Sequence, residues 1–448
     1  MVRETLHAVR ACAGRGFLLA GWALLFGSLS CPDVKAAGKA TFSDLLADLK
    51  SPTVKTRLDA VAELAKSRRR EAVEPLSAVV RDPDARVRMA AVRALGDLRD
   101  LSATPALLTS LTDGDPKIRD EAVGTLVELY AERERSGPID GFLQLFSDEY
   151  DRASVSPFTA VDPAVFKGLA ALLRDEERVI RQDVAYSLGI LGATPEVPAL
   201  VAALQDADPG VRGAAATSLG KLGTAQDGKA LIPLLSDASN EVRNRAMQAI
   251  GVLRVREAGP PLRELFDLNR KRALGVKVLA SLSRIADPSQ SELFRELLAD
   301  PDPEKRRLAI EGLGRVADPS QLAAFKKDYQ RERAEELRLA YSFAITMLGD
   351  KAFVDTLVLA LPSGALGTRA RNYILELGPP LVPELLAYLS DPEAEIRAAL
   401  CDILSQIGDG EAIRHLDPLI SDPSTKVADR ANRAVELLRR GRAGSSPR

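Results

Sequence analysis

The sequence predicts an all-α protein, a right-handed solenoid of about twelve stacked two-helix repeats. Two observations carry the prediction. One block of residues recurs at a spacing close to 31, and within each copy the apolar residues fall at helical spacing on both sides of an Asp- or Pro-marked turn. Composition agrees: of the 448 residues 46% are hydrophobic but only 4% aromatic, and Leu, Ala and Val suit helix packing better than sheet packing.

The recurring block runs aliphatic, any residue, Asp, four variable residues, Val or Ile, Arg, then Ala three later and Leu-Gly at seven and eight. Its clearest copies anchor on Arg88, Arg119, Arg181, Arg212, Arg243, Arg306 and Arg397, in steps of 31, 62, 31, 31, 63 and 91. Linkers repeat as well: Ala286-Asp287-Pro288-Ser289-Gln290 returns as Ala317-Asp318-Pro319-Ser320-Gln321.

Each copy reads as two helices. The first often opens with Pro behind a capping residue, as at Thr104-Pro105, Thr194-Pro195, Asp287-Pro288 and Asp318-Pro319, where the missing N–H of Pro costs nothing. Leu107-Leu108, Leu172-Leu173 and Leu234-Leu235 supply its buried stripe. A turn follows at Asp82-Pro83, Asp115-Pro116, Asp208-Pro209 and Asp391-Pro392. The second helix then places Val87, Ala91 and Leu95 on one face, as do Ile180, Val184 and Leu188, and Val211, Ala215 and Leu219. Gly96, Gly189, Gly220, Gly251 and Gly314 thin it near its end, for close packing or termination. One pair cannot bury its apolar face alone; a stack shares a continuous core.

On these residues the chain resembles the HEAT-repeat family, in the short form known from phycobilin lyases. The resemblance covers roughly Thr41 to Arg440, with weaker copies near 54–65, 272–286 and 351–378. It implies a curved array that binds other proteins, an architecture that serves many unrelated tasks. The organisation read from the chain is a leader over 1–36, repeats over 41–136, an interruption over 137–161, the main repeat block over 162–440 and a polar basic tail over 441–448.

Seven Asp–Arg pairs share a spacing of six: Asp82/Arg88, Asp113/Arg119, Asp175/Arg181, Asp206/Arg212, Asp237/Arg243, Asp300/Arg306 and Asp391/Arg397. A catalytic site is needed once, whereas these recur in every course. The resemblance implies that they form a ladder joining the turns of neighbouring repeats, and the chemistry fits, since Asp accepts N–H groups at a helix start and Arg offers directed donors to a carboxylate.

No catalytic or metal-ligating set, and no cofactor site, emerges. His415 and Cys401 are the only histidine and cysteine beyond the leader, too few for a zinc site of His and Cys type. Cys401 sits on the apolar face of its helix, where other copies carry Val or Ala, and reads as core. Deoxyhypusine hydroxylase is similar in repeat style but needs His-Glu pairs, which this sequence lacks. The phycobilin-lyase style alone carries no tetrapyrrole site, so a lyase-like enzyme is the third-ranked expectation. HEAT-like DNA glycosylases use a basic, aromatic concave face, whereas here Arg93, Thr217, Gln248 and Glu311 show no single sign.

Arg3, Arg10 and Arg15 precede an uncharged apolar run from Phe17 to Leu29, shorter than the roughly 20 residues of a membrane-spanning helix. A cut ahead of Ala37, after Val34 and Ala36, makes 1–36 a secretory signal. The rival reading uses Ser28-Leu29-Ser30-Cys31, which resembles a lipoprotein box with Ser where that box prefers Leu, and makes Cys31 a lipidation site tethering an envelope assembly to the membrane. Removing 1–36 moves the formal charge from -2 to -4, a poor balance for nucleic acid. Basic residues gather at Lys66 to Arg70 and among Arg430, Arg433, Arg439, Arg440, Arg442 and Arg448, where a solvated end cap is the plainer account.

The interruption holds Phe142, Phe146, Tyr150 and Phe158, and the first three have the spacing of one helical face. They read either as filler in a decayed repeat or as a projecting partner-binding insertion. The expected protein is therefore an exported, periplasmic or envelope-associated monomer, a non-enzymatic scaffold or adaptor for another protein.

Overall fold

Asp and Ser at the turns decide where the helices start. Asp84, Asp208 and Asp302 stand at N-caps and accept the backbone N–H two residues on, while Ser239 caps the N–H of Val242. Pro209 and Pro303 then occupy the first helical position. The computed structural model describes residues 40–130, 160–407 and 410–444.

Among them lie twelve helix pairs. In the N-terminal third they are α1 (Phe42–Asp48) with α2 (Val54–Ser67), α3 (Val73–Val79) with α4 (Ala85–Leu98), α5 (Thr104–Ser110) with α6 (Pro116–Tyr130) and α7 (Pro163–Ala171) with α8 (Arg178–Leu191). The middle holds α9 (Val197–Ala203) with α10 (Pro209–Leu222), α11 (Ala225–Gly228) with α12 (Asn240–Val252), α13 (Gly259–Asn269) with α14 (Ala273–Ile285) and α15 (Ser291–Leu297) with α16 (Pro303–Val316). The last four are α17 (Leu322–Arg331) with α18 (Glu335–Met347), α19 (Val354–Leu359) with α20 (Gly364–Leu377), α21 (Val382–Leu386) with α22 (Ala394–Ile407) and α23 (Ile413–Leu416) with α24 (Thr425–Gly444). The weak copies near 54–65, 272–286 and 351–378 are thus full units.

Each even helix packs on the next, from α2 to α24, and the odd helices lie behind them in a second layer. Between the layers runs an aliphatic core with Val87, Leu95, Val211 and Leu219 fully buried, as their spacing requires. At Gly314 the recurrent glycine serves close packing: a Cβ there would come within 2.7 Å of the Cα of Ala344 on α18. The helix itself continues to Val316.

The interruption over 137–161 falls, but for its last two residues, outside the described residues, and with it Phe142, Phe146, Tyr150 and Phe158. The stack on either side of it is closed, because α6 packs directly on α8.

Along the turns runs the ladder. Six arginines, Arg57, Arg88, Arg119, Arg181, Arg212 and Arg397, each grip a carboxylate of the following unit through Nε and one terminal nitrogen, at 2.7–2.9 Å. The carboxylates belong to Asp82, Asp113, Asp175, Asp206, Asp237 and Asp422. The arginine's other nitrogen donates to the backbone carbonyl six residues before it, as Arg88 does to Asp82 at 3.0 Å. In the five pairs from Asp82/Arg88 to Asp237/Arg243 the Asp therefore lends its arginine a carbonyl and gives its carboxylate to the arginine upstream. Five rungs span 25 residues and the Arg119–Asp175 rung spans 56, one period more, so the ladder steps over the interruption.

From Arg243 to Asp391 the ladder stops. Arg243 bonds the Asp237 carbonyl and Asn240, and neither Arg243 nor Arg306 grips a carboxylate of the next unit among the described residues. Gly275 and Gly367 replace the arginine on α14 and α20. There the carbonyl six residues back, of Asn269 or Leu361, closes so far that a Cβ would meet it at 2.4 or 2.2 Å.

Candidate functional site

The even-helix layer curls. Arg254, just past the end of α12, bonds Glu376 near the end of α20 at 3.2 Å, although four repeats of sequence separate them. Four helix-to-helix steps in a straight stack would leave roughly 35–40 Å between those ends. The even helices therefore line the inner, concave side, and their C-terminal ends converge between α12 and α20.

The convergence encloses a cavity of about 590 Å³. Its walls carry Arg254, Arg284 of α14, Arg307 and Arg315 of α16, and Arg369 of α20, against only two carboxylates, Glu311 and Glu376. Glu311 is the hub. Both Arg307 and Arg315 pair with it, and the Tyr373 hydroxyl donates to it. Burial pushes its carboxyl up, but the two guanidiniums and the hydroxyl more than offset this and hold it at about 2. Burial disfavours the charge on Arg315 too, and the facing carboxylates of Glu376 and Glu311 outweigh it, so its pKa lies above the ordinary value.

Arg315 is held on every side. Its Nε and one terminal nitrogen fork onto Glu376 at 2.8 and 2.9 Å, and the other nitrogen reaches Ser283 of α14 at 2.8 Å and Glu311 at 3.1 Å. The guanidinium lies 5.1 Å from the centroid of the Phe343 ring, which stacks on Tyr373 at 4.3 Å. Phe343 on α18 thus floors the network.

Two arginines are different. Arg284 makes no hydrogen bond or ion pair among the described residues, and burial together with the neighbouring Arg315 pushes its guanidinium down to about 10. One terminal nitrogen of Arg369 is buried without a partner, and so is the side-chain oxygen of Asn372 one turn further along α20. Unpartnered buried polar atoms are costly, and the two on Arg369 and Asn372 belong to the cavity that Arg284 also lines.

Elsewhere on the concave layer Asp120 of α6 and Asp183 of α8 share a hydrogen bond. Burial and the charge of Asp120 push Asp183 up to about 6. Cys401 is fully buried, and burial pushes its thiol up to about 12, which suits a core side chain and not a nucleophile. Within the basic clusters Lys66 pairs with Glu63, Arg70 with Asp100, Arg430 with Asp402 and Arg439 with Asp417. Of the concave residues weighed from sequence, Arg93 pairs with Glu121 and Thr217 bonds Arg245, whereas Glu311 joins the cavity. Arg254, Arg284, Arg307, Arg315, Arg369 and Glu376 are not singled out by the sequence reading. Their signal is positional: Arg284, Arg315 and Glu376 lie nine residues past the anchor, where earlier copies carry Ile190, Lys221 and Val252.

A sequence profile of HEAT repeats matches residues 42–127, 166–251 and 228–314. No curated protein matches the sequence. Among solved structures, the chain is similar to an engineered protein at 19% identity, covering 89% of this chain and 98% of that one with a TM-score of 0.35. It is similar to the Escherichia coli protein YibA at 14% identity, covering 61% and 91% with a TM-score of 0.40. Importin beta aligns at 13% identity over 89% of this chain and 62% of its own, with a TM-score of 0.45.

Proposed function

The chain belongs to the HEAT-repeat family, and on that premise we propose that it is an exported, non-enzymatic scaffold or adaptor that binds another protein on its concave, even-helix surface. The observation that carries this reading is the built concave layer. It runs through all twelve units, curls until α12 and α20 meet, and holds at that point a charged cavity with polar groups left open. Scaffolds of this kind present a long surface instead of a reaction centre. Export rests on the leader read over 1–36, and the segment with Phe142, Phe146, Tyr150 and Phe158 is proposed as a further partner contact.

A second reading rests on Ser28-Leu29-Ser30-Cys31, with Cys31 carrying a lipid that tethers the scaffold to a membrane. Fractionation with a radiolabelled fatty acid separates the two: label lost in Cys31→Ser supports the anchor, and unlabelled protein in the soluble envelope fraction supports the cut ahead of Ala37. For binding itself, residues 37–448 serve as bait in an envelope extract. The expected result is a stoichiometric protein partner that an unrelated solenoid of equal charge does not retain. Recovery of the same proteins by both baits would overturn the scaffold reading.

A further inference from the structure

The cavity between α12, α14, α16 and α20 is charged out of balance. Glu311 and Glu376 are spent on Arg307, Arg315 and Arg254, and Arg307 takes Glu304 as well at 3.0 Å. Arg284 and Arg369 remain, two guanidiniums that line the same cavity and have no hydrogen-bond or ion-pair partner among the described residues, one terminal nitrogen of Arg369 being buried. A stack built only for stability would not place Arg284 beside Arg315. Like charges repel, and the ladder shows how this chain pairs arginines where it needs mortar. The volume of about 590 Å³ lies within the range of roughly 300–1,000 Å³ in which ligand pockets fall.

The open groups also describe what fits. Arg284 and Arg369 call for an oxyanion, and a planar carboxylate accepts the paired N–H donors of a guanidinium side by side. Glu376 already occupies Arg315 in that manner. The buried oxygen of Asn372 calls for a donor on the same molecule. A carboxylate with an N–H nearby is what an acidic peptide offers, through its glutamate or aspartate side chain and its backbone amide. Inorganic phosphate and simple dicarboxylates satisfy only the arginines through their anionic oxygens.

We propose that this cavity is a recognition site for an acidic peptide segment, with its carboxylate between Arg284 and Arg369 and a backbone N–H on the side-chain oxygen of Asn372. The site deepens the scaffold reading and rests on it for the source of the peptide.

The test is calorimetric titration of the full chain with three probes: an N-acetylated tetraglutamate peptide, glutarate and inorganic phosphate. The peptide is expected to bind one to one and more tightly than either small anion. Arg284→Gln and Arg369→Gln should each weaken it tenfold or more, while the surface control Lys271→Gln leaves it unchanged. Without peptide, Arg284→Gln should melt no lower than the parent, because an unpaired guanidinium beside Arg315 has been removed; this keeps loss of binding apart from loss of fold. Arg284→Lys, which retains the charge but not the fork, should recover only part of the affinity.

Absence of peptide binding, or binding indifferent to both variants, overturns the site. Tighter binding of glutarate or phosphate than of the peptide, lost in Arg284→Gln, overturns the peptide assignment and makes the cavity a small-anion site. If the envelope bait retains its partner equally with and without Arg284→Gln, the site falls and the scaffold reading stands. If no partner is retained while the peptide binds, the scaffold reading falls alone.

Discussion

The units from α2 to α10 and those from α12 to α20 are joined by different chemistry. In the first region each course is tied to the next by one arginine and one aspartate at the turns, partly open to water, with each rung spanning 25 residues of chain or, at Arg119–Asp175, 56. In the second, the turns lose that rung, and the ties move inside, to Glu311, Arg307, Arg315, Tyr373 and Glu376. A rung joins neighbours only. The buried network joins α16 to α20, past α18, and through Arg254 reaches α12. Nearest-neighbour ties hold a regular stack; ties that skip a unit impose curvature, and the cavity exists where they do. The contrast is open to experiment at several points.

Glu311→Ala should produce the largest effect. It removes the carboxylate shared by Arg307 and Arg315 and leaves two enclosed guanidiniums without it, a change that costs about 3–5 kcal/mol for a broken buried pair. Urea unfolding followed by circular dichroism is the measure. A loss no greater than that of a ladder variant would show that the network adds nothing beyond a rung. The parent should also weaken in acid, because Glu311 is held at about 2: its contribution is complete above the ordinary glutamate value and is lost as pH falls toward that figure.

Arg212→Ala should cost about 1–2 kcal/mol, since Asp237 loses its fork while still accepting the N–H of Ser239 at 2.8 Å. Arg243→Ala, at the same register but gripping no carboxylate of the next unit among the described residues, should cost a few tenths at most. Equal losses by thermal unfolding would mean that the carbonyl bond of each arginine, and not the rung, is what matters.

Asp183 tests the ladder region from its concave side. Its folded pKa of about 6 lies above the ordinary value of about 4, so the folded chain keeps a proton that the unfolded chain has released. Stability should therefore fall as pH rises from about 4 to about 6. Asp183→Asn should abolish that slope and melt higher at neutral pH. A slope that survives the substitution would place its origin elsewhere.

The all-α class, the twelve pairs and the ladder were legible because each is written many times, and a period exposes what any single copy hides. The carboxylate each arginine grips was less plain, since the pair at spacing six is adjacent in sequence but bonded through a carbonyl. Arg57 escaped notice because its copy carries Ser51 where the others carry the Asp six residues before the arginine. The cavity was harder still. Arg93, Thr217, Gln248 and Glu311 are the right register row, five past the anchor, but averaging a row over all units erases the one place where the curl brings a local cluster together. Curvature comes from packing between units, as where Gly314 meets Ala344, and no single repeat encodes it.

The most direct test of why the ladder stops lies at Asn269. Asn269 occupies the turn position held by Asp206 and Asp237 in earlier units, six residues before Gly275 where those precede Arg212 and Arg243. Its side-chain nitrogen donates to the Leu265 carbonyl at 2.9 Å, so it is turned into its own helix and offers Arg243 no charge. Asn269→Asp cannot keep that donation, because a carboxylate has no N–H, and the gain under test is a rung with the guanidinium of Arg243. If a missing charge is all that interrupts the ladder, a new rung forms and stability rises by up to about 1 kcal/mol, the most a partly exposed pair gives. The gain should vanish in 0.5 M salt and in the Arg243→Ala background. If the one extra residue between the Arg243 and Arg306 copies, which are 63 apart, has moved the turn out of reach, Asn269→Asp should be neutral or destabilising. A double-mutant cycle reads the difference directly, and a coupling near zero would place the break in backbone register instead of side-chain charge.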